Sequence, residues 1–215
     1  MAARPASEPA RGAVNGAAAG TGQDGAQVAG APDGAPDGAA GGTPDGAQDL
    51  RERVARYLRG HHTMTVATVG LPAGAVRQGA ARAAAATLVP HAASVFYAVD
   101  DSLRLVFLSK PGSTHGLHIG AAAPVAVTVT EQYDDWELIQ GVQLWGTAKR
   151  VTGAAKVAAM AAYVRRFPFV KELMEQPRLV ESMRKVAVYR VTPGRVAFTD
   201  NTTGVFGREV LDLKG

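Results

Sequence analysis

Three structural signals follow one another in Leu103-Arg-Leu-Val-Phe-Leu-Ser-Lys-Pro-Gly-Ser-Thr-His-Gly-Leu-His118. Apolar residues alternate along Leu103–Ser109, which is typical of a β-strand with one buried face. Pro111-Gly112 then predicts a turn, and the next segment predicts a short alanine-rich helix over Ser113–Ala123 that Pro124 stops. A strand that turns directly into a helix gathers free backbone N–H groups and the positive end of the helix dipole at one corner.

This corner is a candidate anion site. Ser109, Lys110, Ser113, Thr114 and His115 supply hydroxyl, ammonium and imidazole donors, which the acceptor oxygens of a phosphate require. The same residues also fit an ordinary serine cap followed by a solvated lysine. Their spacing leaves both interpretations open.

Outward from this stretch, the chain is rich in short runs of apolar and β-branched residues. The further predicted strands are Met64–Val69, Leu88–Val99, Val125–Thr130 and Val142–Val151, followed by a hairpin of Val186–Val191 and Arg195–Thr199 through Thr192-Pro193-Gly194. Seven or so strands at hairpin spacing predict an antiparallel barrel or sandwich.

Three further helices accompany these strands. Asp49 as N-cap, with Glu52 at the capping-box position, predicts an amphipathic helix that ends at Gly60. Two later helices are predicted over Gly153–Phe167 and Phe169–Glu175, and Pro177 is expected to end the second.

Composition divides the chain in two. Residues 1–48 are mostly Ala, Gly, Pro and Asp, and such a segment buries too little apolar surface to fold, so we expect a disordered tail. Residues 49–215 have the size of one domain, and the Ala- and Gly-rich stretch 70–87 is expected to be an insertion between two strands.

Charge and cysteine content narrow the function classes. The chain has no cysteine, which excludes disulfides, thiolate metal sites and cysteine nucleophiles. Its net charge is +4, without a cluster of basic residues like an arginine-rich arm, so nucleic acid is not the expected partner. Neither a signal peptide nor a membrane-spanning stretch is visible, and we expect a cytoplasmic protein without membrane contact.

Histidine and tryptophan are two further residue types that could bind a ligand. The five histidines lack the spacing of a metal site, apart from the weak pair His115 and His118, and we predict no bound metal. Trp145 lies in a predicted strand and is either a stacking platform for a flat ligand or a packing residue.

The order of these elements resembles a known family. The segments that carry the resemblance are Met64–Val69, Pro90–Tyr97, Leu103–Lys110, the Ser113-Thr114-His115 corner, Pro124–Val129 and Gly141–Gly146, with endings at Tyr189–Pro193 and Asp200–Phe206. Together they resemble the pyridoxamine 5′-phosphate oxidase-like, FMN-binding split-barrel superfamily, and within it the small bacterial pyridoxamine 5′-phosphate oxidase-related proteins.

The resemblance implies a mainly β, antiparallel split barrel that forms a homodimer with FMN at the subunit interface. It implies cofactor-binding roles for Ser94, Val95, Phe96, Leu108, Ser109, Thr114 and His115, to which the corner adds Lys110 and Ser113 and the predicted strand adds Trp145. The expected function is an FMN-dependent oxidoreductase that acts on an unknown small molecule with an unknown electron donor. No residue qualifies as catalytic acid or base, and His91 and Asn201 are candidates only.

Departures from the family pattern keep other functions open. True pyridoxamine phosphate oxidases carry a phosphate-binding Arg where this chain has Ala93, and an Arg-Lys pair where it has Thr114-His115. Oxidation of vitamin B6 is therefore not expected. The deazaflavin F420 or heme could replace FMN, or the protein could be a non-catalytic ligand-binding dimer.

Overall fold

The computed structural model describes residues 38–39, 44–77, 87–204 and 207–213. Most of the predicted tail lies outside these residues, as do residues 78–86 of the predicted insertion. The described residues all fall within one compact unit, Pro36–Gly215.

A closed antiparallel barrel is the centre of the described structure. Its strands and their flanking partners are β1 Gly38–Ala39, β2 Thr63–Gly70, β3 Val89–Val99, β4 Leu105–Ser109, β5 Ala122–Thr130, β6 Gln140–Val151, β7 Ala187–Asp200 and β8 Arg208–Asp212. Neighbouring strands follow the order β1-β8-β7-β4-β3-β2-β5-β6, and β6 pairs again with β7, which closes six strands into a barrel. All pairs are antiparallel except β1 with β8. The predicted mainly-β, antiparallel split barrel is confirmed.

Helices occupy the connections between these strands. They are α1 Pro44–Gly60, α2 Ala73–Arg77, α3 Thr114–Ile119, α4 Gly153–Arg166, α5 Phe169–Glu175 and α6 Pro177–Arg184, with short 3₁₀ turns at Trp136–Leu138 and Asn201–Thr203. No helix in the described part of the chain is both long and apolar enough to cross a bilayer.

Two apolar clusters hold the fold together. The larger fills the barrel, where Leu50, Val54 and Leu58 of α1 pack against inward residues of the strands. The smaller lies outside β3, β4 and β7, where Tyr163 and Phe167 are buried together with residues of those strands. Helices α4 and α5 therefore cover one side of the barrel exterior.

Helix α1 begins earlier than the capping pattern predicted. Pro44 starts it, and Asp49 lies inside the helix, where its carboxylate is 3.6 Å from Arg53. Proline is favoured in the first helical turn because its missing N–H has no partner there in any case. The capping-box pattern at Asp49 and Glu52 therefore gave the wrong start.

The helix predicted over Ser113–Ala123 extends four residues too far at its C-terminal end. It ends at Ile119, and Gly120 with a φ of +54° breaks the backbone out of the helix. Ala122 begins β5, and Pro124, predicted as a helix stop, pairs with Thr147 inside the strand. Since the pairing of β5 with β2 covers only 126–128, the missing N–H of this proline is tolerated.

The hairpin predicted through Thr192-Pro193-Gly194 is wrong. These residues lie within the single fourteen-residue strand β7, and the register with β6 shifts between Trp145 and Gly146. A bulge, rather than a turn, accommodates Pro193-Gly194. Helix α6 is an element that the sequence pattern did not predict, because Pro177 signals a helix end there, yet it lies in the first turn of α6. Strand β8 was not predicted either.

Candidate functional site

The corner between β4 and α3 has the geometry of a capped helix start. Ser113 is the N-cap, and its Oγ accepts a hydrogen bond from the Gly116 N–H at 3.2 Å. The same hydroxyl donates to the Lys110 carbonyl at 2.7 Å. The serine cap, one of the two interpretations that the spacing leaves open, is therefore present, and it holds the turn after β4 closed.

A chain of short polar contacts links this cap to His115. Ser109 Oγ lies 3.1 Å from Ser113 Oγ and 2.6 Å from His115 Nε2. Because the Ser113 hydroxyl donates to the Lys110 carbonyl, the contacts are consistent with donation from His115 Nε2–H to Ser109 and from Ser109 to Ser113. In that arrangement the two hydroxyls are engaged with protein atoms.

His115 is the buried member of a cluster of three histidines. Its side chain belongs to a residue only 7% exposed, and its Nδ1 has no hydrogen-bond partner among the described residues. The His91 ring stacks at 5.8 Å from it, and His118 lies edge-on to His91 at 6.1 Å. Burial first, and then the neighbouring His91 and His118, lower the pKa of His115 below its usual value, which favours the neutral imidazole.

His118 is fixed by two polar partners. Its Nε2 lies 3.1 Å from the Leu71 carbonyl, which only accepts, so Nε2 carries the proton and Nδ1 accepts from the Thr68 hydroxyl at 3.0 Å. Both ring nitrogens are thus used in packing α3 against β2. Within the described ranges, no group of three His, Asp or Glu side chains has the geometry to hold a metal ion.

A shallow groove runs over the outer face of β2, β3, β5 and β6. It has a volume of about 670 Å³, and Trp145, which is 40% exposed, forms one wall. A smaller groove of about 280 Å³ adjoins it and shares Ala67, Ala126 and Trp145. The floor is almost entirely apolar.

Strand register explains why this face is flat. Ala92, Ala67 and Ala126 follow one another across β3, β2 and β5, and the row ends at Trp145 on β6. The next row carries Ser94, Thr65, Thr128 and Gln143. Because a strand alternates its faces, the alanine and threonine positions of β2 and β5 produce an even surface of small side chains.

The predicted cofactor set is only partly assembled. Ser109, Ser113 and His115 meet at the corner, and Trp145 lines the groove. Ser94 is exposed on the same outer face, where its hydroxyl lies 3.5 Å from that of Thr65.

Three members of the set face other surroundings. Val95 packs against the core cluster inside the barrel, and Leu108 packs against the cluster beneath α4. Phe96 contacts Phe167 and Phe169 at ring distances of 5.3 and 5.8 Å. The Val95 and Leu108 side chains therefore support the fold, whereas Phe96 is 46% exposed on the same side of β3 as Ser94.

The remaining candidates differ in whether their side chains already bind other protein groups. Among the described residues, no hydrogen bond or ion pair engages the Lys110 ammonium or the Thr114 hydroxyl. Asn201, in contrast, donates to the Trp136 carbonyl at 2.7 Å and ties two loops together away from the groove. His91 lines the groove itself.

Sequence reasoning missed the groove floor and the polar role of His118. Alanine and threonine carry no chemical signal of their own, but their alternation along Met64–Val69 and Val125–Thr130 predicted strands and so contained the outward-facing positions. Thr68 gives no signal in the sequence either, and its role is visible only in the fold, where it is almost fully buried against His118.

A six-stranded antiparallel barrel with a short helix after its β4 strand and a flat, small-residue outer face defines a protein of the split-barrel class. The chain belongs to the pyridoxamine 5′-phosphate oxidase family, whose model matches residues 50–200.

Individual relatives agree with this assignment. The UPF0306 protein YhbP of Escherichia coli O157:H7 is 34% identical over 124 residues, which cover 57% of this chain and 76% of YhbP. A heme binding protein from Mycobacterium smegmatis has a TM-score of 0.51 at 19% identity, and the match covers 77% of this chain and 57% of that one. General Stress Protein 26 from Bacillus anthracis has a TM-score of 0.50 at 15% identity, covering 76% and 98%. The two structural matches establish the shared fold alone.

Proposed function

We propose that the protein is a cytoplasmic, homodimeric FMN-dependent oxidoreductase that acts on a small molecule. The isoalloxazine ring would lie on the groove beside Trp145, and the phosphate would bind at the corner between β4 and α3. The family assignment supports a split-barrel ligand site, and the choice of FMN is our inference from the residues around it.

One observation carries the proposal: His91 connects the two halves of the site. Its ring lines the groove that Trp145 borders, and it also stacks on His115, whose Nε2 contacts Ser109. A ligand with a flat ring and a dianionic tail would therefore find an apolar floor and a polar corner next to each other. FMN has this combination.

The corner offers a phosphate the Lys110 ammonium and the Thr114 hydroxyl, which no hydrogen bond or ion pair engages among the described residues. The buried His115 Nδ1 is an acceptor in the tautomer that donates from Nε2 to Ser109, so His115 positions Ser109 and does not itself donate to the phosphate. Ser109 and Ser113 would keep their mutual contacts or exchange one of them for a phosphate oxygen. Since His115 is favoured as the neutral form, Lys110 supplies the charge.

When bound, FMN supplies the hydride chemistry. The contribution of this chain is to hold the ring between Trp145 and the alanine floor, to anchor the phosphate, and to exclude water from one face. Ala93 packs into the barrel interior and offers no charge. The corner therefore lacks the arginine of true pyridoxamine phosphate oxidases, and we propose a different substrate.

Purified protein tests the proposal directly through its visible spectrum and a titration with FMN. We expect a flavin band, or quenching of FMN fluorescence to saturation at one FMN per chain. Trp145→Ala should weaken FMN about tenfold, since stacking of a flat ring on an aromatic side chain contributes about 1–3 kcal/mol. Trp136→Ala is the matched control, because this second tryptophan is exposed in a loop outside the groove.

The phosphate corner has its own test. A Thr114→Ala/Lys110→Ala double variant should weaken FMN but leave riboflavin, which has no phosphate, almost unaffected. An equal loss of affinity for FMN and riboflavin would contradict the phosphate assignment. Colourless protein that does not bind added FMN would contradict the proposed function itself.

Heme is the second candidate, and the position of His91 favours it. An imidazole in an apolar groove is a common axial ligand of heme iron, and the groove beside Trp145 is open to a flat macrocycle. A Soret band after addition of hemin that His91→Ala abolishes, with no FMN binding, would replace the flavin proposal by this one.

A further inference from the structure

A second apolar groove lies outside the barrel, among the three helices that follow β6. It has a volume of about 620 Å³ and shares no residue with the groove beside Trp145. Its apolar lining consists of Val157 and Met160 of α4, Met174 of α5, Val180 and Met183 of α6, and Val186 before β7.

The floor of this helical groove is anchored and its rim is exposed. Met160 and Met183 pack against the buried cluster that also contains Tyr163. Val157 and Met174 at the rim are 71% and 46% exposed. Exposed apolar side chains that surround a concavity mark a binding surface, and the unbranched methionine side chain adapts to flexible partners.

Charge at the groove has one sign. Lys156 and Arg184 are its only charged lining residues, and no ion pair engages either of them within the described ranges. Neighbouring lysines behave differently, because Lys171 lies 4.0 Å from Glu175 and Lys185 lies 3.1 Å from Glu181. An anionic group at this groove would thus meet two cations that have no carboxylate partner.

We propose that this groove binds a single-chain amphiphile with an anionic head, namely a long-chain carboxylate. The alkyl chain lies against the methionines and valines, and the carboxylate pairs with Lys156 and Arg184. The volume falls within the range of about 300–1,000 Å³ that small-molecule sites occupy. A lining without polar uncharged side chains suits an alkyl chain, which makes no hydrogen bonds, better than a peptide or a nucleotide.

The test is a titration of the full chain with cis-parinarate, a long-chain carboxylate that fluoresces in apolar surroundings, below its micellar concentration. We expect saturable binding at one site per chain. Lys156→Glu/Arg184→Glu should weaken it about tenfold or more, because two attractive charges become repulsive. Arg165→Glu/Arg178→Glu is the control, since it makes the same charge change on exposed positions of α4 and α6 that have no ion pair within the described ranges and do not line the groove.

A neutral ligand separates charge from apolar contact. Methyl parinarate should bind more weakly than the acid and respond equally to the two double variants. The proposal is overturned if parinarate does not saturate, if the charge-reversed variant binds it as tightly as the wild type, or if the ester binds as well as the acid. A change in molecular mass of the charge-reversed variant with unchanged parinarate binding would instead assign the groove to a second copy of the chain, and would also overturn it. Circular dichroism verifies that both variants are folded, and FMN binding should be the same in both.

Discussion

Gly146 shows how one missing side chain permits the closure of the barrel. A Cβ at this position would lie only 2.7 Å from the Cα of Pro193 and closer still to the Thr192 carbonyl oxygen. Both are backbone atoms of the bulged part of β7, which pairs with Gly146 directly. Only glycine fits here without displacing one strand of the barrel.

We therefore expect Gly146→Ala to lower the free energy of unfolding by about 1–3 kcal/mol, the usual range for overpacked sites. Urea denaturation measures the change. Gly60→Ala is the control, because its Cβ would meet nothing within 4 Å, and we expect a difference below about 1 kcal/mol there. If the two substitutions lower the free energy of unfolding equally, the close approach of Gly146 to the backbone of β7 does not determine which residue is tolerated there.

His115 makes stability depend on pH near neutrality. Burial and the adjacent histidines lower its pKa in the folded chain, whereas an unfolded histidine titrates near about 6.5. The unfolded state therefore takes up a proton first as the pH falls, and the contribution of neutral His115 to stability is present above that value and lost towards the folded pKa.

Wild-type protein should thus lose stability as the pH falls below about 6.5, the ordinary histidine pKa, while His115→Gln should show a flatter dependence. Urea midpoints above and below this pH provide the measurement. His62→Gln serves as control, since His62 is exposed. Parallel pH profiles of the wild type and His115→Gln would contradict a lowered pKa of His115.

At the scale of elements, an ionic network fixes α1 to the end of the barrel. Arg53 of α1 lies 2.6 Å from Glu209 of β8 and 3.8 Å from Asp200 at the end of β7. Asp200 also accepts hydrogen bonds from Thr202 Oγ1 at 2.6 Å and Gln140 Nε2 at 2.9 Å. Burial opposes ionisation of Asp200, but these bonds and the charge of Arg53 outweigh it and lower the pKa of Asp200.

Asp200→Asn should cost about 1–3 kcal/mol at neutral pH, the range for hydrogen bonds to a charged group. Because the folded pKa is lowered, this contribution is present above the ordinary aspartate pKa and fades as the pH falls through the lowered value. Asp212→Asn, which removes a more exposed pair with Arg195, should cost less than about 1 kcal/mol. Chemical denaturation at pH 7 and at pH 3 compares the two, and a difference that persists undiminished at acid pH would argue against an ionised Asp200.

The elements also show where sequence patterns succeed and fail. Alternation and β-branching predicted β2 to β6 because these strands bury one face of the barrel. Pro124 and Pro193 led to wrong predictions of a helix stop and a turn. A proline interrupts a strand only where its missing N–H would have donated to a neighbouring strand, and the strand pairing determines where that is the case. The Ser113 cap is local and was one of the two interpretations that the spacing leaves open. The groove floor of Ala67, Ala92 and Ala126 depends on register between distant strands, which no local pattern contains.

At the scale of the whole molecule, the two halves of the barrel exterior differ. Helices α4 and α5 cover the outer face of β3, β4 and β7 with the cluster around Phe167. The outer face of β2, β5 and β6 remains open, and Val69 and Trp145 are 60% and 40% exposed there. An apolar face of this kind usually marks an interaction surface, and the proposed homodimer would cover it.

We therefore expect the protein to sediment with twice the mass of one chain, and Ala126→Lys to shift it to a single chain, because a buried ammonium at the centre of the flat face has no partner. FMN should be lost as well, because Ala126 also belongs to the alanine floor on which we propose the flavin ring lies. Ala161→Lys makes the same change at an exposed position of α4 and should leave both mass and FMN binding unaltered. If the wild type sediments as a single chain at micromolar concentration, the open face does not mediate self-association and the homodimer prediction is wrong. FMN binding by that single chain would then show that one barrel face suffices to hold the ring.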